Sequence, residues 1–200
     1  MTKVVLITGA TDGIGLETAI TLAADGHRVV VNGIVDREAF EPVRLEACER
    51  AGGEIVYHYA DLRDANAVEN MHACIQREFG DIEILVNNAA VRQYALIENC
   101  RPEDWHEALS VNLTAAFHTI RLSLPGMKAR GWGRIVNMSS RLGQSAMVGR
   151  VDYVTTKHAL IGLTRAVALE ARTYGVTCNA LCPGSVLTPQ SDERVEQLRV

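Results

Sequence analysis

"KVVLITGATDGIG", residues 3–15, decides the fold. Its first part, residues 3–8, is a short β-branched run without strict polar alternation, as in a strand covered on both faces. Its second part, "TGATDGIG" (8–15), places Gly9, Gly13 and Gly15 between that strand and a helix that starts at Ile14. Glycine allows a tight turn and close backbone approach, and the free N–H groups of a helix start can hold a pyrophosphate. A glycine triplet alone is also what a turn without a ligand would show. The spacing is G-x-x-x-G-x-G, and no Gly-Lys-Ser/Thr follows, which excludes a nucleoside triphosphatase loop.

The same alternation runs outward from this unit. Further β-branched runs lie at 28–32, 54–59, 82–87, 134–139 and 175–181, and helical stretches at 14–24, 37–51, 64–79, 102–129 and 152–173. Six strands with five helical connections predict an α/β fold: a doubly wound, Rossmann-like parallel sheet in three layers with right-handed crossovers. No linker, repeat or low-complexity segment interrupts the pattern, so residues 1–200 are expected to form a single dinucleotide-binding and catalytic domain. After the sixth strand, "SVLTPQSDERVEQLRV" (185–200) reads as the beginning of a polar amphipathic helix, and a seventh strand is missing from the sequence.

Composition narrows the class. The chain is 48% hydrophobic and 22% charged, with a net charge of −4, which gives no reason to expect a nucleic-acid partner. The first apolar run is too short for a signal peptide, and no run of about 18 apolar residues suggests a membrane span. Cys48, Cys74, Cys100, Cys178 and Cys182 are odd in number and scattered, so a disulfide framework is not expected; Cys178 and Cys182 read as buried small hydrophobes. A cytoplasmic location follows, and no metal site is expected.

The carboxyl ends of the strands are where open α/β sheets bind ligands. At the end of the second strand, Asn32 and Gly33 stand where an acid often reads the ribose, with Asp36 three residues later. Asp36 either binds the 2′-hydroxyl or faces water at the helix start, and Arg37 could instead meet a 2′-phosphate. Asp61 and Leu62 follow the third strand; they flank the adenine, or Asp61 caps the next helix. Tyr153 and Lys157 are i,i+4 and share a helix face. A phenol is a poor base near neutral pH, and a neighbouring ammonium favours its ionised form. The context makes the pair notable, since the chain has three lysines against seventeen arginines. Ser139 and Ser140 end the fifth strand, where a serine can donate to a substrate oxygen while Tyr153 moves the proton. A turn or cap serine is the plain alternative. Asn112 by itself reads as a polar residue interrupting a long helix on a solvated face.

Taken together, "TGATDGIG", "NNAA" (87–90), "SVNLTAAF" (110–117), "NMSS" (137–140), "YVTTK" (153–157) and "CPG" (182–184) resemble the short-chain dehydrogenase/reductase family over nearly the whole chain. The resemblance implies an NAD(P)-dependent oxidoreductase acting on a secondary alcohol or ketone. It places the phosphate turn on Gly9, Thr11, Asp12, Gly13, Ile14 and Gly15, and the catalytic group on Asn112, Ser140, Tyr153 and Lys157. Tyr153 is then the acid/base, Lys157 holds the nicotinamide ribose, Ser140 orients the substrate oxygen, and Asn112 holds a water in a proton relay. Asn88 and Ala89 would lie beside the cofactor; Pro183, Gly184 and Val186 would frame the nicotinamide, with Thr188 near its amide. Within the family, "RVVVNG" (28–33), "NNAAVRQYALIE" (87–98), "CPGSV" (182–186) and "AVALE" (166–170) resemble bacterial D-3-hydroxybutyrate dehydrogenases, a resemblance that leans the cofactor to NAD over NADP. Where those enzymes carry carboxylate-binding residues this chain has Arg92, Leu142, Arg150 and Ser185; Arg92 and Arg150 could still clamp an acidic group. A 3-hydroxy acid, a 3-oxoacyl thioester and a sugar or polyol are the substrate classes left open, with a non-catalytic dinucleotide-binding protein as the reading of another class. The resemblance also implies a homo-oligomer, tetramer or dimer, and a chain apparently short of the family's C-terminal part.

Overall fold

The structure is a computed structural model that describes residues 1–186 and 188. The amphipathic helix expected toward Val200 lies outside these residues. Six strands form one parallel sheet: β1 (Val4–Ile7), β2 (Arg28–Gly33), β3 (Ile55–Tyr59), β4 (Ile84–Asn87), β5 (Gly133–Met138) and β6 (Val176–Leu181). Their order is β3-β2-β1-β4-β5-β6. The chain therefore reverses its direction of travel across the sheet between β1 and β4, and a crevice opens there above the strand ends.

The helices that make the crossovers are α1 (Gly13–Ala24), α2 (Arg37–Ala51), α3 (Ala65–Phe79), α4 (Pro102–Leu109), α5 (Ala115–Arg130) and α6 (Val151–Ala171). Alternate residues of β1 point to opposite faces, and both faces are covered. Val4 and Leu6 join Met71, Ile75, Ile120 and Val167 from α3, α5 and α6 in one core. Val5 and Ile7 join Ala19, Ile20 and Phe40 from α1 and α2 in the other. That double burial is why β1 reads as an unbroken apolar run.

The stretch expected as one helix over 102–129 is divided. Between α4 and α5 lies a π-helical turn, Ser110–Thr114, a form that often marks functional sites. Asn112, at its centre, is 2% exposed, which corrects the reading of a solvated face. Cys178 is buried as expected, whereas Cys182 is only partly so.

Candidate active site

Above the carboxyl ends of β1, β2, β4 and β5 lies a cavity of about 710 Å³, within the usual size of a ligand site. One end is built by the first turn. Gly9 and Gly13 have φ of +59° and +50°, the left-handed region that favours glycine. A Cβ on Gly9 would lie 2.5 Å from Ala89 Cα, so the turns after β1 and β4 meet backbone to backbone. The first turn of α1 carries no acidic side chain, and its N-cap is Asp12. Thr11, Asp12, Gly13 and Ile14 line the cavity, and Thr188 comes over from the far side, its Cγ2 3.3 Å from a Cβ built on Gly13. Gly15 does not line it. A Cβ there would meet Asn88 Nδ2 at 2.6 Å, so Gly15 serves close packing behind the turn.

Asn88 and Ala89 are tied to this turn through Thr8, a residue sequence reasoning passed over. The Thr8 hydroxyl accepts from Asn88 N at 3.1 Å and Ala89 N at 3.2 Å, while Asn88 Nδ2 donates to Thr8 O and Gly9 O. Below them a buried polar chain crosses the sheet: Thr119 Oγ1 donates to Asn87 Oδ1, Asn87 Nδ2 to Asn137 Oδ1, and Asn137 Nδ2 to Thr164 Oγ1. Fully bonded, such a chain rigidifies the floor of the site.

At the β2 end, Asn32, Gly33 and Ile34 form the wall. Asp36 and Arg37 do not reach it. The Asp36 carboxylate caps α2 by accepting from Glu38 N at 2.9 Å, and Arg37 donates to Tyr57 O. Both are spent on local structure. Asp61 and Leu62 do line the cavity. Asp61 is not the cap of α3, which is Asp64, accepting from Asn66 N. Instead Asp61 pairs with Arg63 at 2.6 Å, and Arg63 also reaches Glu107 at 3.2 Å. The Arg63 hydrogen bond holds the Asp61 carboxyl below its ordinary range. Arg63 and Val111, both in the wall, gave no sequence signal of their own.

The opposite end brings together Ser140, Tyr153, Lys157, Pro183, Gly184 and Val186. Ser140 lies two residues beyond β5 and accepts from Leu142 N at 3.1 Å, which turns the chain into a short 3₁₀ helix. Lys157 is 2% exposed. Its Nζ donates to Met138 O at 2.6 Å and lies 5.4 Å from the centre of the Tyr153 ring. Ser139 Oγ donates to Lys157 O at 3.0 Å, so α6 is pinned to the end of β5 at two points. A Cβ on Gly143 would lie 2.4 Å from Ser139 Oγ, which makes glycine necessary beside that contact. Burial, then the charge of Arg92, pushes the Lys157 ammonium down to about 8.

Asn112 sits behind this end rather than in the wall. Its Oδ1 accepts from Val91 N at 2.8 Å; its Nδ2 donates to Val91 O at 2.9 Å and Thr156 Oγ1 at 3.1 Å. The π turn thereby locks the segment after β4 to α6. Arg92 and Arg150 both line the cavity. A parallel bridge between Ala95 and Arg150 holds their two segments side by side. Arg150 donates to Gln93 O at 2.7 Å and stacks over the Tyr94 ring at 5.2 Å.

One end thus offers a glycine turn on a helix start, suited to a dinucleotide pyrophosphate, and the other a phenol beside a buried ammonium. The chain is similar to known proteins over nearly its whole length. The family model described as short chain dehydrogenase matches residues 3–199. The D-beta-hydroxybutyrate dehydrogenase of Cupriavidus necator is 45% identical over 194 residues, 97% of this chain and 74% of that protein. The enzyme of the same name from Rhizobium meliloti is 42% identical, over 98% of this chain and 76% of its own length. Acetoacetyl-CoA reductase of Rhizobium meliloti is 37% identical over 94% of this chain and 76% of its own. Among solved structures, a variant of actinorhodin polyketide ketoreductase crystallised with NADPH superposes with a TM-score of 0.92 at 36% identity, covering 98% of this chain and 75% of that one.

Proposed function

From the premise that the chain belongs to the short-chain dehydrogenase family and is an NAD(P)-dependent oxidoreductase, we propose that it interconverts a small hydroxy acid and the corresponding keto acid. The observation that carries this reading is the meeting, in one cavity wall, of Tyr153 and Lys157 with the guanidinium-bearing Arg92 and Arg150. The nicotinamide, when bound, supplies the hydride chemistry. The protein supplies the rest. Tyr153 Oη takes the alcohol proton in oxidation and returns it in reduction. The Lys157 ammonium, 5.4 Å from the Tyr153 ring, stabilises negative charge on it and holds the nicotinamide ribose. Ser140 Oγ donates to the substrate oxygen. Asn112 has one lone pair of Oδ1 left for a relay water, because its other bonds are made to Val91 and Thr156.

The turn at Gly9, Gly13 and Ile14 would hold the pyrophosphate, with Thr11, Asp12, Asn88 and Ala89 around it and Asp61 and Leu62 at the adenine. Pro183, Gly184, Val186 and Thr188 would close the nicotinamide side. NAD is favoured over NADP because Arg37, the cation the sequence offers for a 2′-phosphate, is engaged with Tyr57 O outside the cavity, and Arg63 in the wall is engaged with two carboxylates. One domain carries both ends of the site. We further propose a homo-oligomer located in the cytoplasm: Phe117 on α5 and Leu169 on α6 are 47% and 67% exposed, and all five cysteines are free. Among the described residues no helix is long and apolar enough to cross a membrane.

The test is NADH formation from a panel of hydroxy acids, polyols and thioesters, for the wild type and for Tyr153→Phe. Hydroxy acids should be oxidised, and the variant should lose turnover while still binding NADH. Wild-type turnover in Tyr153→Phe sinks the assignment of the proton to that hydroxyl.

A further inference from the structure

The charges in the cavity wall are unevenly divided. Among the described residues three carboxylates line it, and two of them, Asp61 and Glu107, are paired with Arg63 at the adenine end. The third, Asp12, belongs to the phosphate turn. Among the described residues, the wall around Ser140 and Tyr153 includes Arg92, Arg141, Arg150 and Lys157, and no carboxylate. Among the described residues no carboxylate is within ion-pair distance of any of these three arginines. Asp152, at the start of α6, is buried, accepts from Gln93 N at 3.4 Å and stays out of the wall.

The two inner guanidiniums differ in a useful way. Arg150 is aimed: one N–H is spent on Gln93 O and its plane is stacked on Tyr94, leaving the rest of its fork for a ligand. Arg92, the residue after Val91, whose backbone Asn112 grips, shows no side-chain hydrogen bond or ion pair to the described residues. It is close enough to Lys157 for their charges to oppose each other. Leu142 and Met147 add apolar surface to the same wall. A single carboxylate offsets one of these cations and leaves the other facing a buried ammonium.

We propose that the substrate is a hydroxy acid with two anionic groups, one held by Arg150 and the other by Arg92, with the carbinol carbon between them at Tyr153 and the carbon chain against Leu142 and Met147. This rests on the hydroxy-acid reading above and narrows it. The second anion is a carboxylate or a phosphate monoester, since an arginine fork recognises either.

The experiment compares 3-hydroxybutyrate, 3-hydroxyglutarate and 3-phosphoglycerate as substrates for NAD reduction, and butyrate with glutarate as stabilisers of the NADH complex in thermal unfolding. One of the two dianions should exceed the monoanion in kcat/KM by at least about tenfold, the factor that one charge-assisted hydrogen bond is worth; which one identifies the second group. Glutarate should raise the melting temperature more than butyrate. Arg92→Gln and Arg150→Gln should each bring the dianion-to-monoanion ratio toward one through KM; Arg92 is exposed, so its replacement leaves the fold intact. Equal or better use of 3-hydroxybutyrate, an unchanged ratio in both variants, or equal stabilisation by the two acids overturns the inference while sparing the hydroxy-acid reading. Oxidation of neutral secondary alcohols with none of the acids overturns both.

Discussion

Replacing Lys157 with methionine converts the cost of burying its ammonium into a measurable pH slope. The side chain is 2% exposed. Burial first, and the Arg92 charge second, bring it from an ordinary 10.5 to about 8. The unfolded chain holds this proton up to about 10.5, whereas the folded one releases it near 8. Between those values the unfolded state binds more protons, so stability rises with pH. Below the window the full cost is present; above it the cost is gone. A fall of about 2.5 pH units at about 1.4 kcal/mol each amounts to about 3 kcal/mol. Methionine is unbranched and fills much of the same space, and the lost hydrogen bond to Met138 O adds an offset that does not vary with pH. Cys178, pushed up to about 11 by burial, slopes the other way but is present in both proteins and cancels. Urea denaturation of cofactor-free wild type and Lys157→Met from pH 7 to 11 reads the difference in unfolding free energy. That difference should move by about 3 kcal/mol in favour of the wild type across the window. A flat or opposite course would refute the buried-ammonium argument.

Two further perturbations probe other parts of the fold. Gly9→Ala forces a Cβ to within 2.5 Å of Ala89 Cα at a φ of +59°; the left-handed conformation alone costs about 1–2 kcal/mol. It should lower the melting temperature and weaken NADH binding in a fluorescence titration, and wild-type affinity would exclude the close-approach role. His72 is 6% exposed, its Nε2 lacks a hydrogen-bond partner among the described residues, and burial pushes its pKa below 6.5. The unfolded chain therefore takes up a proton that the folded one resists as pH falls through 6.5, and stability drops. His72→Leu should lose that part of the acid slope in denaturation measured between pH 7 and 5, and parallel slopes would count against it.

The strands, the helices and the first turn were legible because their causes are short-range. Doubly covered strands write themselves as apolar runs, and Gly9, Gly13 and the start of α1 carry their turn chemistry locally. The i,i+4 spacing of Tyr153 and Lys157 is local too, and both were placed in one wall with Ser140. The 102–129 stretch was legible as helical but not as divided, since the π turn at Ser110–Thr114 exists to serve a partner. Asn112 finds Val91 and Thr156 at separations of 21 and 44 residues.

By itself, then, the sequence determined the alternation of elements, the glycine turn after β1 and the spacing that puts Tyr153 and Lys157 on one helix face. Only the tertiary structure decided which charges are spent and which are available. Asp36 and Arg37 carry the same sequence signal as free site residues, yet one caps α2 and the other donates to Tyr57 O. Arg92 and Arg150 look like surface arginines 58 residues apart until the Ala95–Arg150 bridge sets their segments together beside Lys157. The reason is physical: placing β1 between β2 and β4 joins residues as distant as Thr8 and Asn88, and a charge's partners are fixed by that long-range closure rather than by its neighbours in the chain.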